Sequence, residues 1–308
     1  MGEVSTGERR ASAKRGLMVY FAALVLMSGA VQATIIARGG KIGEHVALVL
    51  ALMWSPTVAM ILARLVCREG IRDVSFRPGV RRGGWREYLL SWLYPVAVGL
   101  AAYGLAWASG LAPFAVPEGG LYEGFAAAAG PIGAVAGAIG LNLTLGMVLS
   151  AISAAGEEFG WRGYMLTRLI DAGVKRPVLV SGLVWGLWHA PLILSGQYAA
   201  GPYPIASSVL FLVGITATGY VFARVRLATG SVWPAAILHS AWNAVIQGAF
   251  DAFLPGHDAA HAGSIWVGES GVLVVATQVL FALALAWRAV PYRRSPRDED
   301  GRFELRTA

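Results

Sequence analysis

The sequence has few charged residues for its length. Only 14% of its 308 residues are Asp, Glu, Lys or Arg, whereas 56% are hydrophobic. A soluble globular domain carries about a quarter charged residues, so this class is excluded. The single cysteine, Cys67, also excludes an internal disulfide. The composition instead predicts a polytopic membrane protein in which one helical bundle takes up nearly the whole chain.

Charge is almost absent from eight apolar stretches that are long enough to cross about 30 Å of hydrocarbon as helices. We therefore expect an all-α, polytopic integral membrane helical bundle with about eight transmembrane helices. The predicted spans are residues 17–37, 45–66, 88–110, 130–155, 178–194, 205–223, 232–253 and 270–290.

Basic residues are missing from the two long loops at 111–129 and 254–268. Nearly all of them lie in five clusters elsewhere. Threading the spans from a cytosolic N-terminus puts all five clusters in the cytosol, as the positive-inside rule requires. We expect both termini to be cytosolic. The alternation of basic clusters with apolar spans argues against nucleic acid as a partner, despite the net charge of +7. The clusters are residues 9–15, 64–86, 162–176, 224–226 and 288–306.

The first span raises the question of a cleaved leader. Lys14 and Arg15 precede an apolar run, as in a secretory signal peptide, but the run is long for one. An uncleaved helix is the better interpretation, and a cleaved one would leave the orientation of the other spans unchanged. We expect three regions: a basic cytosolic tail over 1–16, a single transmembrane domain over 17–290 with its motif core at about 130–253, and a charged, disordered tail over 291–308.

Two adjacent glutamates, Glu157 and Glu158, end the fourth apolar stretch. A carboxylate in a bilayer costs on the order of 2–3 kcal/mol or more, so a pair of them calls for a chemical role. Glu158 and Arg162 are four residues apart and share a helix face. Glu157 is rotated from Arg162 by about 140°. We expect Arg162 to hold Glu158 and leave Glu157 free as a base; an ordinary surface ion pair is the alternative.

Two histidines lie inside apolar spans. His189 is in the fifth predicted span and His239 in the seventh, with Asn243 one turn later on the face of His239. A single membrane histidine is often a packing residue, but ionisable groups on separate helices generally face the bundle interior and one another. We expect these three side chains to share a polar site. His257 and His261 belong to an outer loop, where solvated positions are the simpler interpretation.

Three short motifs follow one another on successive predicted membrane helices. Together they resemble the CAAX-processing and bacteriocin-protection family of intramembrane proteases, which includes the type II CAAX prenyl endopeptidases. The resemblance covers about residues 155–243, and Trp185 stands where the family usually carries phenylalanine. The motifs are Glu157-Glu158-x-x-x-Arg162, Trp185-x-x-x-His189 and His239-x-x-x-Asn243.

The resemblance implies a role for each motif residue. Glu157 would be the general base, and His189 would help to hold and polarise the attacking water. His239 and Asn243 would donate hydrogen bonds to the oxyanion, which peptide hydrolysis must stabilise. Arg162 would orient the acidic pair through Glu158.

A metal is an open question at this stage. Glu157, His189 and His239 could supply three ligands to zinc or another divalent metal, with a fourth position left for water. The chain has no His-Glu-x-x-His pair, which would put ligands and base on one helix. Asn243 suits an oxyanion hole and is a poor zinc ligand. We therefore favour a site without a cofactor.

The sequence thus predicts an intramembrane endopeptidase in a bacterial cytoplasmic (inner) membrane, surrounded by lipid. Its substrate would be a protein or peptide, with or without a lipid modification, reached from the cytosolic leaflet through a cavity open to the cytosol. The alternative is a proton- or solute-coupled transporter that uses the same residues as a relay, although the internal repeats of many transporters are missing. A non-catalytic membrane scaffold is a third interpretation.

Overall fold

A computed structural model describes residues 6–40, 42–79, 84–255 and 264–287. Across these residues every regular element is a helix and there is no strand. The tail 291–308 and the loop histidines His257 and His261 lie outside the described residues. The α-helices are α1 (Thr6–Arg38), α2 (Val46–Cys67), α3 (Trp85–Ser109), α4 (Leu121–Leu141), α5 (Met147–Gly160), α6 (Leu166–Asp171), α7 (Pro177–Leu194), α8 (Pro204–Thr229), α9 (Trp233–Trp242) and α10 (Val272–Trp287).

Six helical segments of the described chain are long and apolar enough to cross a membrane. Large apolar side chains such as Leu26 and Ile132 lie exposed on the outside, as lipid-facing residues do. This confirms an all-α integral membrane protein. The seventh predicted span consists of α9, a π-helical stretch (Asn243–Phe250) and a 3₁₀ turn (Asp251–Phe253), and α10 is a shorter apolar helix. The count of eight and the orientation of the termini stay predictions.

The fourth predicted span is much longer than expected. From α4 to α6 the chain is one helical segment, Leu121–Asp171, with π-helical turns at Asn142–Gly146 and Trp161–Met165. It kinks once, at Ala129 and Gly130, where the φ of +63° at Gly130 suits glycine. The helix does not end near Glu157, because the turns that follow are buried by their neighbours and remain helical. Glu157 therefore lies well inside the bundle.

Glycines let α5 approach α2 very closely. A Cβ on Gly156 would lie 2.7 Å from the ring of Trp54, and one on Gly160 would lie 2.4 Å from the backbone of Pro56. Small residues one turn apart allow helix backbones to touch in lipid. Glu157 and Glu158 lie between these two glycines, so their backbone is held close to α2.

Three helices carry the motif residues and pack around a common centre. α5 lies between α2 and α9, α7 packs along α8, and α3 and α10 cover the far side of α9 and α8. Glu157 and Glu158 come from α5, His189 from α7, and His239 from α9. Asn243 begins the π-helical stretch that continues α9.

Candidate active site

Glu158 and Arg162 form a buried ion pair. Arg162 donates from Nη1 to Oε1 of Glu158 at 2.8 Å, and the two side chains are 1% and 0% exposed. The same oxygen of Glu158 lies 3.0 Å from Nδ1 of His239. The guanidinium stacks over the rings of Trp185 and Phe222, 4.0 and 4.5 Å from their centroids. The pair is thus part of the protein interior and not an exposed surface pair.

Glu157 is held by two tryptophans. Its Oε2 accepts hydrogen bonds from Nε1 of Trp161 at 3.0 Å and Nε1 of Trp185 at 2.8 Å. Its other oxygen, Oε1, lies 4.0 Å from Nε2 of His239. One carboxylate oxygen is therefore saturated by indole donors, which fixes the plane of the group. Oε1 keeps its lone pairs for other partners.

His189 is oriented by its own helix and by aromatic rings. Its Nδ1 lies 2.8 Å from the carbonyl oxygen of Trp185, so a proton on Nδ1 completes a hydrogen bond and leaves the lone pair on Nε2. The rings of Trp188, Tyr198 and Phe211 pack around the imidazole, and that of Tyr198 is stacked on it at 5.7 Å. These contacts leave the imidazole little rotational freedom.

Asn243 is held by Gln247, which is in turn linked to Tyr198. Its Oδ1 accepts a hydrogen bond from Nε2 of Gln247 at 3.3 Å, and the same Nε2 lies 3.3 Å from the hydroxyl of Tyr198. Tyr198 donates in turn to Oε2 of Glu269. Oε1 of Glu269 accepts from the indole of Trp242 at 2.6 Å. A chain of hydrogen bonds thus runs from Glu269 to Asn243.

The chemistry of the groups determines which of them donate and which accept in these hydrogen bonds. An ionised carboxylate only accepts hydrogen bonds, so Tyr198 must donate to Glu269 and can only accept from Gln247. The burial of Tyr198 and the nearby charge of Glu269 raise the pKa of the phenol well above its ordinary value, which keeps this proton in place. Gln247 then has its second N–H for Asn243, whose oxygen must face it. The amide N–H₂ of Asn243 is left for other partners.

A cavity of about 430 Å³ brings four of the six predicted residues together: Glu157, His189, His239 and Asn243 all line it. Glu158 and Arg162 do not line it; they lie behind Glu157 and His239 as their support. Apolar side chains, mainly from α2, form much of the remaining wall. The arrangement combines a carboxylate, two imidazoles and an amide at an apolar cleft, as a hydrolytic site requires.

Few side-chain atoms of the site are left to bind a metal. Oε2 of Glu157, Nδ1 of His189 and Nδ1 of His239 are engaged by protein groups, so one atom of each side chain is left. In the part of the chain that the structure describes, no three His, Cys, Asp or Glu residues are arranged to hold a metal ion. A catalytic zinc site normally has three protein ligands. The choice between a metal-free and a metal-dependent site stays a prediction.

The cavity lies at the ends of the helices that are opposite to the basic clusters. Its wall includes Gln32 near the end of α1, Val46 and Leu50 near the start of α2, and Leu149 near the start of α5. The described basic residues of the clusters at 9–15, 64–86 and 162–176 lie at or beyond the other ends of these helices. The cavity and the described basic residues of these helices thus lie at opposite ends of the bundle.

Sequence reasoning missed several residues that support the site. Trp161 follows Glu157 by four residues, so helical spacing could have identified it. Trp185 was placed in a motif only as the counterpart of a phenylalanine, although an indole, unlike a phenyl ring, can donate a hydrogen bond. Gln247 stands four residues after Asn243 and could have been found in the same way. Glu269 reaches the site only through tertiary packing, and no local pattern signals it.

Comparison with known proteins supports the motif-based interpretation. Residues 138–245 match the family model described as type II CAAX prenyl endopeptidase Rce1-like. The match contains all six predicted site residues and confirms the resemblance to the CAAX protease family. That family consists of proteases, which favours a peptidase with a protein or peptide substrate over a transporter. No curated protein and no solved structure matches the chain significantly.

Proposed function

We propose that this protein is an intramembrane endopeptidase that uses Glu157 as general base. The observation that carries the proposal is the convergence of Glu157, His189, His239 and Asn243, from three different helices, on one cavity. A buried carboxylate is costly in a membrane and is usually kept for function. The family match over residues 138–245 supports the same chemistry.

Water activation is the first step of the proposed reaction. A water molecule in the cavity donates one hydrogen bond to Oε1 of Glu157 and another to Nε2 of His189. Glu157 takes the first proton as the water oxygen attacks the carbonyl carbon of the scissile peptide bond. The two indole donors on Oε2 leave Oε1 as the basic oxygen and hold it in place. Such general-base catalysis contributes about 10²- to 10⁴-fold in rate.

Oxyanion stabilisation falls to His239 and Asn243. A His239 that carries protons on both ring nitrogens can donate from Nδ1 to Glu158 and from Nε2 to the oxyanion at once. The N–H₂ group of Asn243 is free to add a second donor, because Gln247 occupies its oxygen. Donors fixed before the reaction need no reorganisation when the negative charge forms.

Collapse of the tetrahedral intermediate completes the reaction. The carbon–nitrogen bond breaks, and Glu157 passes the proton that it took from water to the leaving amine. The products are a carboxylic acid and an amine, and Glu157 returns to its ionised state. Arg162 takes no part in these transfers; it holds Glu158, which holds His239.

The decisive experiment is peptide cleavage by the purified full-length protein in lipid nanodiscs. A peptide library with and without C-terminal prenyl groups would be scored by mass spectrometry. We expect cleavage by the wild type and a loss of at least about 100-fold for Glu157→Gln and His189→Ala. Glu123→Gln, at an exposed position of α4, is the matched control and should retain full activity. Cleavage that survives both active-site substitutions would refute the proposal.

The same assay tests the cofactor. Incubation with a chelator and removal of the chelate should leave the rate unchanged if water is activated by Glu157 and His189 alone. Loss of activity that returns on adding zinc, together with bound zinc detected by mass spectrometry, would instead establish a metal-dependent site.

A further inference from the structure

The cavity is closed at its inner end and open at the other. Beyond Glu157 the segment from Trp161 to Leu166 is completely buried. Below it, Arg168 pairs with Glu69 at 2.8 Å and with Asp73 at 3.1 Å, which ties the end of the long helix to the connector after α2. These groups form a solid layer between the cavity and the face with the basic clusters.

The open end faces the lipid and the opposite side of the membrane. α2 and α5 touch at Gly156 and Gly160, but away from these glycines the two helices border the cavity. Val46 and Leu50 of α2 and Leu149 of α5 line it there and are exposed by 62%, 40% and 58%. An apolar crevice therefore leads sideways from the bilayer to Glu157.

The charge distribution identifies this side. The described residues of the basic clusters at 9–15, 64–86, 162–176 and 224–226 lie at the closed end, whereas Glu44, Glu118 and Glu123 lie at the open end together with Arg38, and these four are exposed. The excess of Lys and Arg in short loops determines which face of a membrane protein stays in the cytosol. The closed end is therefore the cytosolic one.

We propose that the active site opens to the extracytoplasmic leaflet, where it cleaves membrane-anchored polypeptides at a bond close to the outer surface. This inference rests on the proposed peptidase function for the identity of the substrate, but its statement about sidedness stands on the fold and the charges alone. It is the alternative to the expectation of cytosolic access. A substrate that slides along the leaflet between α2 and α5 would present its scissile bond to Glu157 without leaving the lipid.

Cysteine labelling tests the sidedness without any assay of activity. In a Cys67→Ser background, Val46→Cys would be placed at the open end, Ser153→Cys inside the cavity one turn before Glu157, and Arg9→Cys at the basic end. A membrane-impermeant thiol reagent applied to intact cells should label Val46→Cys and, more slowly, Ser153→Cys. Arg9→Cys should react only after the membrane is permeabilised. The reverse pattern would overturn the proposal.

A cleavage assay with the protein in oriented vesicles tests the substrate class. The library peptide that the nanodisc enzyme cleaves best would be added outside right-side-out and inside-out vesicles, with and without an N-terminal acyl chain. We expect cleavage by right-side-out vesicles, at least tenfold faster for the acylated peptide. Cleavage confined to inside-out vesicles would refute outer access, and equal rates for both peptides would refute access through the lipid. If no library peptide is cleaved, the peptidase function fails, while the labelling result still decides the sidedness.

Discussion

Trp185 donates its indole hydrogen to Oε2 of Glu157 at 2.8 Å, across 28 residues of sequence and from a different helix. Trp161 donates to the same oxygen from within the helix of Glu157. The proposed base is therefore fixed by one local and one tertiary contact. Because both indoles bind Oε2, the reactive oxygen of Glu157 is Oε1.

Replacing Trp185 tests this selection. Trp185→Phe keeps an aromatic ring beneath Arg162 but removes the donor, so Glu157 can rotate. We expect kcat to fall about 10- to 100-fold with KM nearly unchanged, since a hydrogen bond to a charged group contributes about 1.5–3 kcal/mol. Peptide cleavage kinetics would measure it. Trp287→Phe, at a position that is 93% exposed, is the control; a wild-type kcat for Trp185→Phe would show that the indole bond has no catalytic role.

The hydroxyl of Tyr198 is expected to act through Asn243. Tyr198→Phe keeps the ring against His189 but breaks the hydrogen-bond chain to Gln247 and Glu269, so the amide of Asn243 can turn over. We predict a decrease of about tenfold in kcat, and no further decrease when Tyr198→Phe is added to Asn243→Ala, because coupled residues are non-additive. Tyr203→Phe, on an exposed tyrosine, should behave as the wild type. Additive effects in the double variant would mean that Tyr198 serves only the structure.

The buried ion pair should control stability more than any surface charge does. Arg162→Met removes the arginine from the carboxylate of Glu158 and leaves it His239, and breaking a buried pair costs about 3–5 kcal/mol. We expect a large drop in the thermal unfolding midpoint in detergent, part of which Arg162→Met combined with Glu158→Gln should restore. A single variant as stable as the wild type, or a double variant no better than the single one, would contradict this account.

The contact between α5 and α2 predicts a strong effect of one methyl group. In Gly160→Ala the new Cβ meets the backbone of Pro56, which cannot give way as a flexible side chain can. Overpacking of this kind costs about 1–3 kcal/mol, so the unfolding midpoint should fall by several degrees. Gly29→Ala is the matched control, since a Cβ there meets nothing within 4 Å and alanine is the better helix former. Equal midpoints for the two variants would exclude a tight contact between the helices.

The sequence by itself determined the class of fold and the residues that supply the chemistry of the site. Long uncharged stretches require helices in lipid, where every backbone polar group must be bonded within its own segment. The spacing of Glu158 and Arg162 determined their pairing, because residues four apart share a helix face. The order of the motifs around Glu157, His189 and Asn243 was enough to indicate a protease family.

Only the tertiary structure decided how these residues are arranged relative to one another. The long helix continues past Glu157 to Asp171 because neighbouring helices bury its last turns, so the glutamates lie in the interior and not at the membrane surface. Contacts across different helices decided which oxygen of Glu157 is free and which atom of Asn243 faces the cavity. The open end of the cavity depends on where α2 and α5 touch and where they do not. Hydropathy and spacing describe one helix at a time, whereas these properties arise between helices, from packing and hydrogen-bond direction.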